Sequence, residues 1–255
     1  MPSRRELNRT TTLEQIKQAA QAQVEAQGAP ALSIRGVARA IGMSPAGMYR
    51  YYGSRDDLLT DLLADAYGDL ADAVATAAGL PPGIDPAEPH VPGPTQPPEL
   101  ADPMAAMLRA IEAYRRWAVG SPGRFLLIFG TPVPGYEAPA EGPTVQANRR
   151  MGQVFFTLAA LGWQAGQIAE PSPPPTHPPT REEEQVLAQL RAIAAHFPAG
   201  LIPEMLAGWA LWHGLVTLEV TGQLDWIYPD TARFFTERMT AWLVGFAAGG
   251  APASG

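Results

Sequence analysis

Apolar residues recur at helical spacing along most of the chain. Leu13, Ile16, Ala20 and Val24 fall on one helical face, and Gly28 with Pro30 stops that helix. Ser33 opens a short second helix with apolar positions Ile34, Val37, Ala38 and Ile41, and Gly42 follows as a residue able to take positive φ. Ser44-Pro45 opens a third, because serine caps a helix and proline suits its first position. That helix is predicted to run through Met48 and Tyr49 to Tyr52 and to end at Gly53. Ser54 caps a fourth, with Asp56 and Asp57 placed to complement the helix dipole. Leu58, Leu59, Leu62, Leu63, Ala66 and Leu70 carry it to about Ala78.

Beyond that point helical segments alternate with proline-rich breaks at 79–98, 131–143 and 170–179. Further helices are predicted over 102–119, 122–129, 145–163, 181–197, 203–223 and 229–247. Strand signals are nearly absent and no repeat is visible, so the fold class is all-α. The expected organisation is a disordered basic arm over 1–12, a three-helix domain over 13–53, a longer helical domain over 54–247, and a disordered tail over 248–255.

Composition narrows the chemistry. The 255 residues contain no cysteine, which excludes disulfides, thiol catalysis and cysteine-bound zinc. Net charge is −7, but it is unevenly placed. Residues 1–55 hold eight basic side chains against three acids, whereas the remaining 200 residues hold ten against 22. A basic head on an acidic body suits a polyanion bound at one end. The bland alternative is a chance excess of arginine. The N-terminal arginines have no apolar run behind them, so no signal peptide is read there. The apolar stretch Met205 to Leu218 is read as too short to span a bilayer, giving a cytoplasmic protein with no membrane partner.

Leu32 to Leu59, LSIRGVARAIGMSPAGMYRYYGSRDDLL, carries the function. Two short helices joined by a tight glycine-containing turn form a helix-turn-helix. Small Ala46 and Gly47, early in the third helix, are expected to keep its face slim enough for the major groove. Arg50 and Tyr51 lie beside them, and the Ser44-Pro45 start offers a capped helix N-terminus to phosphate. Ser33 and Arg35 at the start of the second helix, and Arg55 at the start of the fourth, are candidate backbone contacts. Tyr49 could touch a phosphate or plug the core, and Tyr52 reads as core.

This segment resembles the DNA-binding domain of the TetR family. The resemblance lies in Val37-Ala38, in Gly42-Met43-Ser44 with Tyr49, and in Tyr52-Gly53-Ser54-Arg55 with Leu58. Arg55 replaces the usual lysine, and Gly47 stands where many relatives carry Thr or Ser. A second resemblance, to the Trp-His-Gly type of TetR effector domain, lies in Trp209 to Glu219 and in Phe125 to Gly130. It implies a homodimer built by the last two helices, with Met205, Trp209, Val216, Phe234 and Trp242 at the interface. It also implies a bacterial regulator whose DNA-binding domain, 13–53, binds a palindromic double-stranded operator and whose effector-binding and dimerisation domain, 54–247, answers to a small-molecule effector. Two recognition helices then sit roughly 34–36 Å apart.

Tyr114, Trp117, Phe125, Phe129, Phe155, Phe156, Trp163 and Trp212 are candidate walls of the effector pocket, each with an ordinary core position as its alternative. His213 reads as a structural histidine. His90, His177 and His196 are scattered, and no metal, cofactor or catalytic constellation is visible. Repressor is the favoured mode. An activator of the same fold and a ligand-independent DNA binder stay open, and an enzyme lacks a convergent nucleophile, base and acid.

Overall fold

The computed structural model describes residues 3–81, 100–140, 142–171 and 177–248. The proline-rich stretch 79–98, the middle of 170–179 and the tail 248–255 fall wholly or largely outside them, as does His90. Among the described residues there are ten α-helices, one 3-10 turn and no strand. The helices are α1 (Arg4–Gln27), α2 (Ile34–Ala40), α3 (Pro45–Met48), α4 (Arg55–Ala78) and α5 (Pro103–Gly120), then α6 (Pro122–Phe129), α7 (Pro143–Gln164), α8 (Arg181–Ile193), α9 (Leu201–Val220) and α10 (Thr231–Ala247).

The chain divides into two compact units. Unit 1 comprises Met1–Asp69 with Ser121–Asn148, and unit 2 comprises Leu70–Gly120 with Arg149–Gly255. The division expected at residue 53 therefore falls inside α4 instead, and α6 joins the N-terminal helices.

Unit 1 is held by the apolar stripe read from the sequence. Ile16, Ala20 and Val24 of α1 pack with Ile34, Val37 and Ala38 of α2, Met48 of α3, and Leu58, Leu59, Leu62 and Leu63 of α4. Tyr52 closes this core, and its hydroxyl donates to Asp61 over 2.6 Å. Burial, with the Asp61 carboxylate beside it, pushes the Tyr52 phenol far above its ordinary pKa. Lys17 of α1 pairs with Asp61 and Asp65 of α4 at 3.2 and 2.8 Å. Leu127 of α6 completes the core. Phe125 packs on Phe129, which meets the edge of Tyr67, and Arg124 pairs with Asp69.

The arm expected over residues 1–12 is helical from Arg4. Ser3 caps α1 in a reciprocal box with Glu6, which satisfies two backbone donors that would otherwise fray. The third helix is shorter than expected. It is a single turn ending at Met48, and Tyr49 to Tyr51 form the turn that leads out of it.

Unit 2 packs α5 against α9 and α10. Arg115 and Glu219 form a two-pronged ion pair, with side chains 14% and 8% exposed, and Thr231 donates to the same carboxylate over 2.6 Å. A buried pair of this kind is worth keeping only when its remaining lone pairs are also satisfied, which Thr231 achieves. α9 is 20 residues long and by length and composition alone could cross a membrane, so the shortness argument from Met205–Leu218 does not hold. One third of that stretch is buried inside the protein.

Candidate nucleic-acid interface and effector region

Ser44 Oγ accepts from Gly47 N at 3.1 Å and so caps α3. Ser33 Oγ accepts from Gly36 N at 3.3 Å at the start of α2. Both serines thus fix helix starts. Gly42, at φ 68°, makes the turn between them, a backbone state that glycine adopts without strain.

The side chains of this helix-turn-helix separate into two sets. Ser44, Pro45, Ala46, Tyr49 and Arg50 are exposed, Tyr49 by 56%. Arg35 on α2 is exposed as well, and Tyr51 is half-buried under the Arg9 guanidinium, 5.3 Å from its ring centre. An outward Tyr49 answers the alternative left open by the sequence: it is no core plug. A 56% exposed ring beside an exposed arginine and a capped helix start suits contact with a backbone or base edge.

Two expected members lie elsewhere. Gly47 is buried on the inner side of α3, where an added Cβ would lie 3.0 Å from Cγ of Met43. It slims the packing of the turn, not its outer face. Arg55 is turned inward. Its guanidinium donates to the carbonyls of Leu32, Ala29 and Pro30 at 3.0, 3.3 and 3.1 Å. Those carbonyls belong to the 3-10 turn between α1 and α2 and the residue after it, so Arg55 holds that connection in place. The sequence places Arg55 at a helix start, and nothing in the spacing shows which way the side chain runs.

The aromatic set proposed for an effector is divided. Phe125 and Phe129 belong to unit 1. Tyr114, Trp117, Phe155, Phe156, Trp163 and Trp212 belong to unit 2. Phe155 and Trp212 pack together with ring centres 5.1 Å apart, and Trp242 meets Trp212 edge-on at 5.4 Å. Phe156 and Trp163 are half-buried. Tyr114 is fully buried and its hydroxyl shares a 2.8 Å hydrogen bond with Nδ1 of His213. Burial lowers the His213 pKa, which favours the neutral ring. His213 is thus a packing histidine with a defined partner, and the described residues hold no cluster fit for a metal ion.

Trp212 is 2% exposed, yet among the described residues its indole N–H has no acceptor, and Oε1 of Gln153 is a second buried atom without a partner there. A buried unpaired donor is costly and invites an acceptor from outside the chain. A separate open depression of about 560 Å³ lies on unit 2, lined by Asp72, Ala73, Thr76, Ala77, Ala113, Arg116 and Trp117. Trp117 alone of the aromatic set borders it.

The expected dimer residues also separate. Met205 and Val216 are buried within their own unit, as knobs toward its core. Phe234 is half-buried and stacks on Tyr228, and Trp242 is half-buried and stacks on Phe246. Trp209 is exposed, and so are Leu206, Leu211 and Leu218 of α9 and Val244 of α10. Trp209 is one of the residues expected at the interface; Leu211 and Val244 were not singled out from the sequence, and with Leu206 and Leu218 these side chains form the uncovered apolar part of the last two helices. A helix apolar all round gives no phase, so periodicity alone could not separate Leu206 from Met205.

Comparison with known proteins agrees with this geometry. Residues 16–62 match the bacterial regulatory proteins of the tetR family, and residues 105–242 match the tetracyclin repressor-like C-terminal domain. The chain is 35% identical over 198 residues to the HTH-type transcriptional regulators Mb1846 of Mycobacterium bovis and Rv1816 of Mycobacterium tuberculosis, covering 77% of this chain and 75% of each relative. Among solved structures, the regulatory protein SCO4313 aligns with a TM-score of 0.67 at 30% identity, over 96% of this chain and all of that one. A tetR family transcription regulator from Shewanella sp. PV-4 shares the fold, with a TM-score of 0.54 at 15% identity over 89% of this chain and 95% of that one.

Proposed function

The chain belongs to the TetR family of bacterial transcriptional regulators, and on that footing we propose that it is a homodimeric repressor which a small apolar effector releases from a palindromic operator. The observation that carries the reading is the outward set Ser44, Pro45, Ala46, Tyr49 and Arg50 on a serine-capped turn, in a basic N-terminal segment of an acidic chain. The Arg50 charge suits phosphate, and small Ala46 admits the backbone to base edges.

Exposed Leu206, Trp209, Leu211 and Val244 support pairing of α9 and α10 with a second copy. Apolar surface of this kind on the last two helices is what a helix-on-helix dimer buries. Twofold symmetry then matches an inverted repeat, with half-sites about one helical turn apart. A regulator of chromosomal DNA acts in the cytoplasm, which is the compartment this reading implies.

The Trp212 N–H between Phe155 and Trp242, without an acceptor among the described residues, supports an effector with an apolar body and a hydrogen-bond acceptor. α4 runs from unit 1 into unit 2 without a break, so a change at its C-terminal half can reach its N-terminal half. The effector must bind the DNA-incompetent state more tightly. A shift from 1:99 to 99:1 needs roughly a 10⁴-fold difference in affinity.

Selection of bound duplexes from a random-sequence pool tests the reading. The expected product is an inverted repeat bound by two chains, and Arg50→Ala and Tyr49→Phe weaken its binding without loss of fold. A protein that stays monomeric when Leu206 and Val244 are intact, or that prefers no sequence over mixed duplex at a fixed salt, overturns it.

A further inference from the structure

We propose that the first turns of α1, residues 4–12, form a second DNA contact, an arm whose arginines neutralise backbone phosphates beside the site entered by residues 44–51. This rests on the operator-binding reading above.

The arm has a defined shape with no partner core. α1 begins at Arg4, yet its first fully buried residue is Ile16, and residues 6–11 are all exposed. Short helical segments that pack on nothing are marginal in water. This one is held at its tip by the Ser3–Glu6 box, whose bonds are 2.6 and 3.2 Å. An arm of helix capped at its end and bare along its length is built to meet something else.

Its inner stripe points to what that is. Arg9 lies seven residues before Ile16 and eleven before Ala20, which places all three on one face of α1. The stripe that is apolar inside the core therefore continues outward as arginine. The Arg9 guanidinium stacks over Tyr51, the residue next to exposed Arg50. Arm and recognition turn thus share one edge of unit 1. Stacking on a ring occupies the flat face of a guanidinium and leaves its in-plane N–H edge able to donate.

Charge selects the partner. Residues 3–12 carry Arg4, Arg5 and Arg9 against Glu6, whose carboxylate is spent on the cap. The chain as a whole is at −7, so the acidic body repels a polyanion that the arm attracts. Phosphate contacts of this kind fix position on the duplex and carry no sequence information.

The test is the salt dependence of binding, measured on full-length wild type, Arg9→Ala, Arg9→Lys and Arg4→Ala. The probes are the selected inverted-repeat duplex and a mixed-sequence duplex of equal length. Each phosphate neutralised adds about 0.9 to the slope of log K against log salt. Two arms per dimer make the expected loss for Arg9→Ala about 1.8, the same on both duplexes. Arg4→Ala lowers the slope in the same direction, and Arg9→Lys retains it. Melting midpoints, unchanged because Arg9 is exposed, show that the fold is intact. An unchanged slope in Arg9→Ala, or a loss confined to the inverted repeat, overturns the arm while leaving operator binding standing. Failure of the wild type to bind either duplex overturns both readings together.

Discussion

Arg55 separates a structural role from a DNA-contacting one, and its geometry sets the size of the effect. The side chain closes three hydrogen bonds onto carbonyls of Ala29, Pro30 and Leu32, and two of these are part-buried. A hydrogen bond from a charged donor contributes about 1.5–3 kcal/mol where it is buried. The third bond is exposed and adds little. Arg55→Ala removes the donors and leaves the carbonyls of the 3-10 turn unpaired, and water reaches the exposed one at once. The net loss is then about 2–3 kcal/mol in unit 1. For a unit of about 100 residues that lowers the midpoint by roughly 8–24 °C. Arg55→Lys reaches one carbonyl with a point charge and recovers less than half. Thermal melts followed by circular dichroism read the loss. Operator binding measured well below the lowered midpoint then keeps the wild-type salt slope. A variant with wild-type stability and a slope reduced by about 1–2 refutes the structural assignment and returns Arg55 to the phosphate backbone.

Three further outcomes follow from unit 2. Gly208→Ala sets a Cβ 2.6 Å from Cε2 of Trp242, a rigid ring with no easy retreat, so melting shows a loss of about 1–3 kcal/mol; an unperturbed midpoint counts against that packing. Arg115→Met strands the buried Glu219 carboxylate and costs about 3–5 kcal/mol, while Arg115→Met with Glu219→Leu recovers most of it; additive losses in the double-mutant cycle would show the two side chains to be uncoupled. The lowered His213 pKa means that the unfolded chain takes up the proton first. Its contribution is complete above the ordinary histidine range near pH 6.5 and falls away as pH drops from there to the folded value. Melts at pH 7.5 and pH 5 therefore differ less in His213→Gln than in the wild type, and an equal difference in both rejects this linkage.

What the sequence disclosed divides along a physical line. Features written in the backbone's own neighbourhood were legible: Ser33 and Ser44 as caps, Pro45 at the first position of α3, Gly42 in the left-handed region, and the stripe from Ile16 to Val24. The box that starts α1 at Arg4 was equally local, since Ser3 and Glu6 have the capping spacing, and expecting a disordered arm overlooked it. Features that depend on a distant partner were not. Phe125 to Phe129 is apolar enough for any core, and only its contacts with Tyr67 and Arg124's pairing with Asp69 place it in unit 1. The direction of Arg55 depends on carbonyls 23 to 26 residues earlier. The phase of α9 is the hardest case. Leu206 and Met205 are interchangeable by hydropathy, and one faces outward while its neighbour is buried. A helix that must cover both its own core and a second copy is apolar on two faces, so its pattern cannot say which face is which. On the proposed dimer, the double duty that hides the phase is itself the signature of the interface, carried in α9 by the absence of a polar face more than by any single residue.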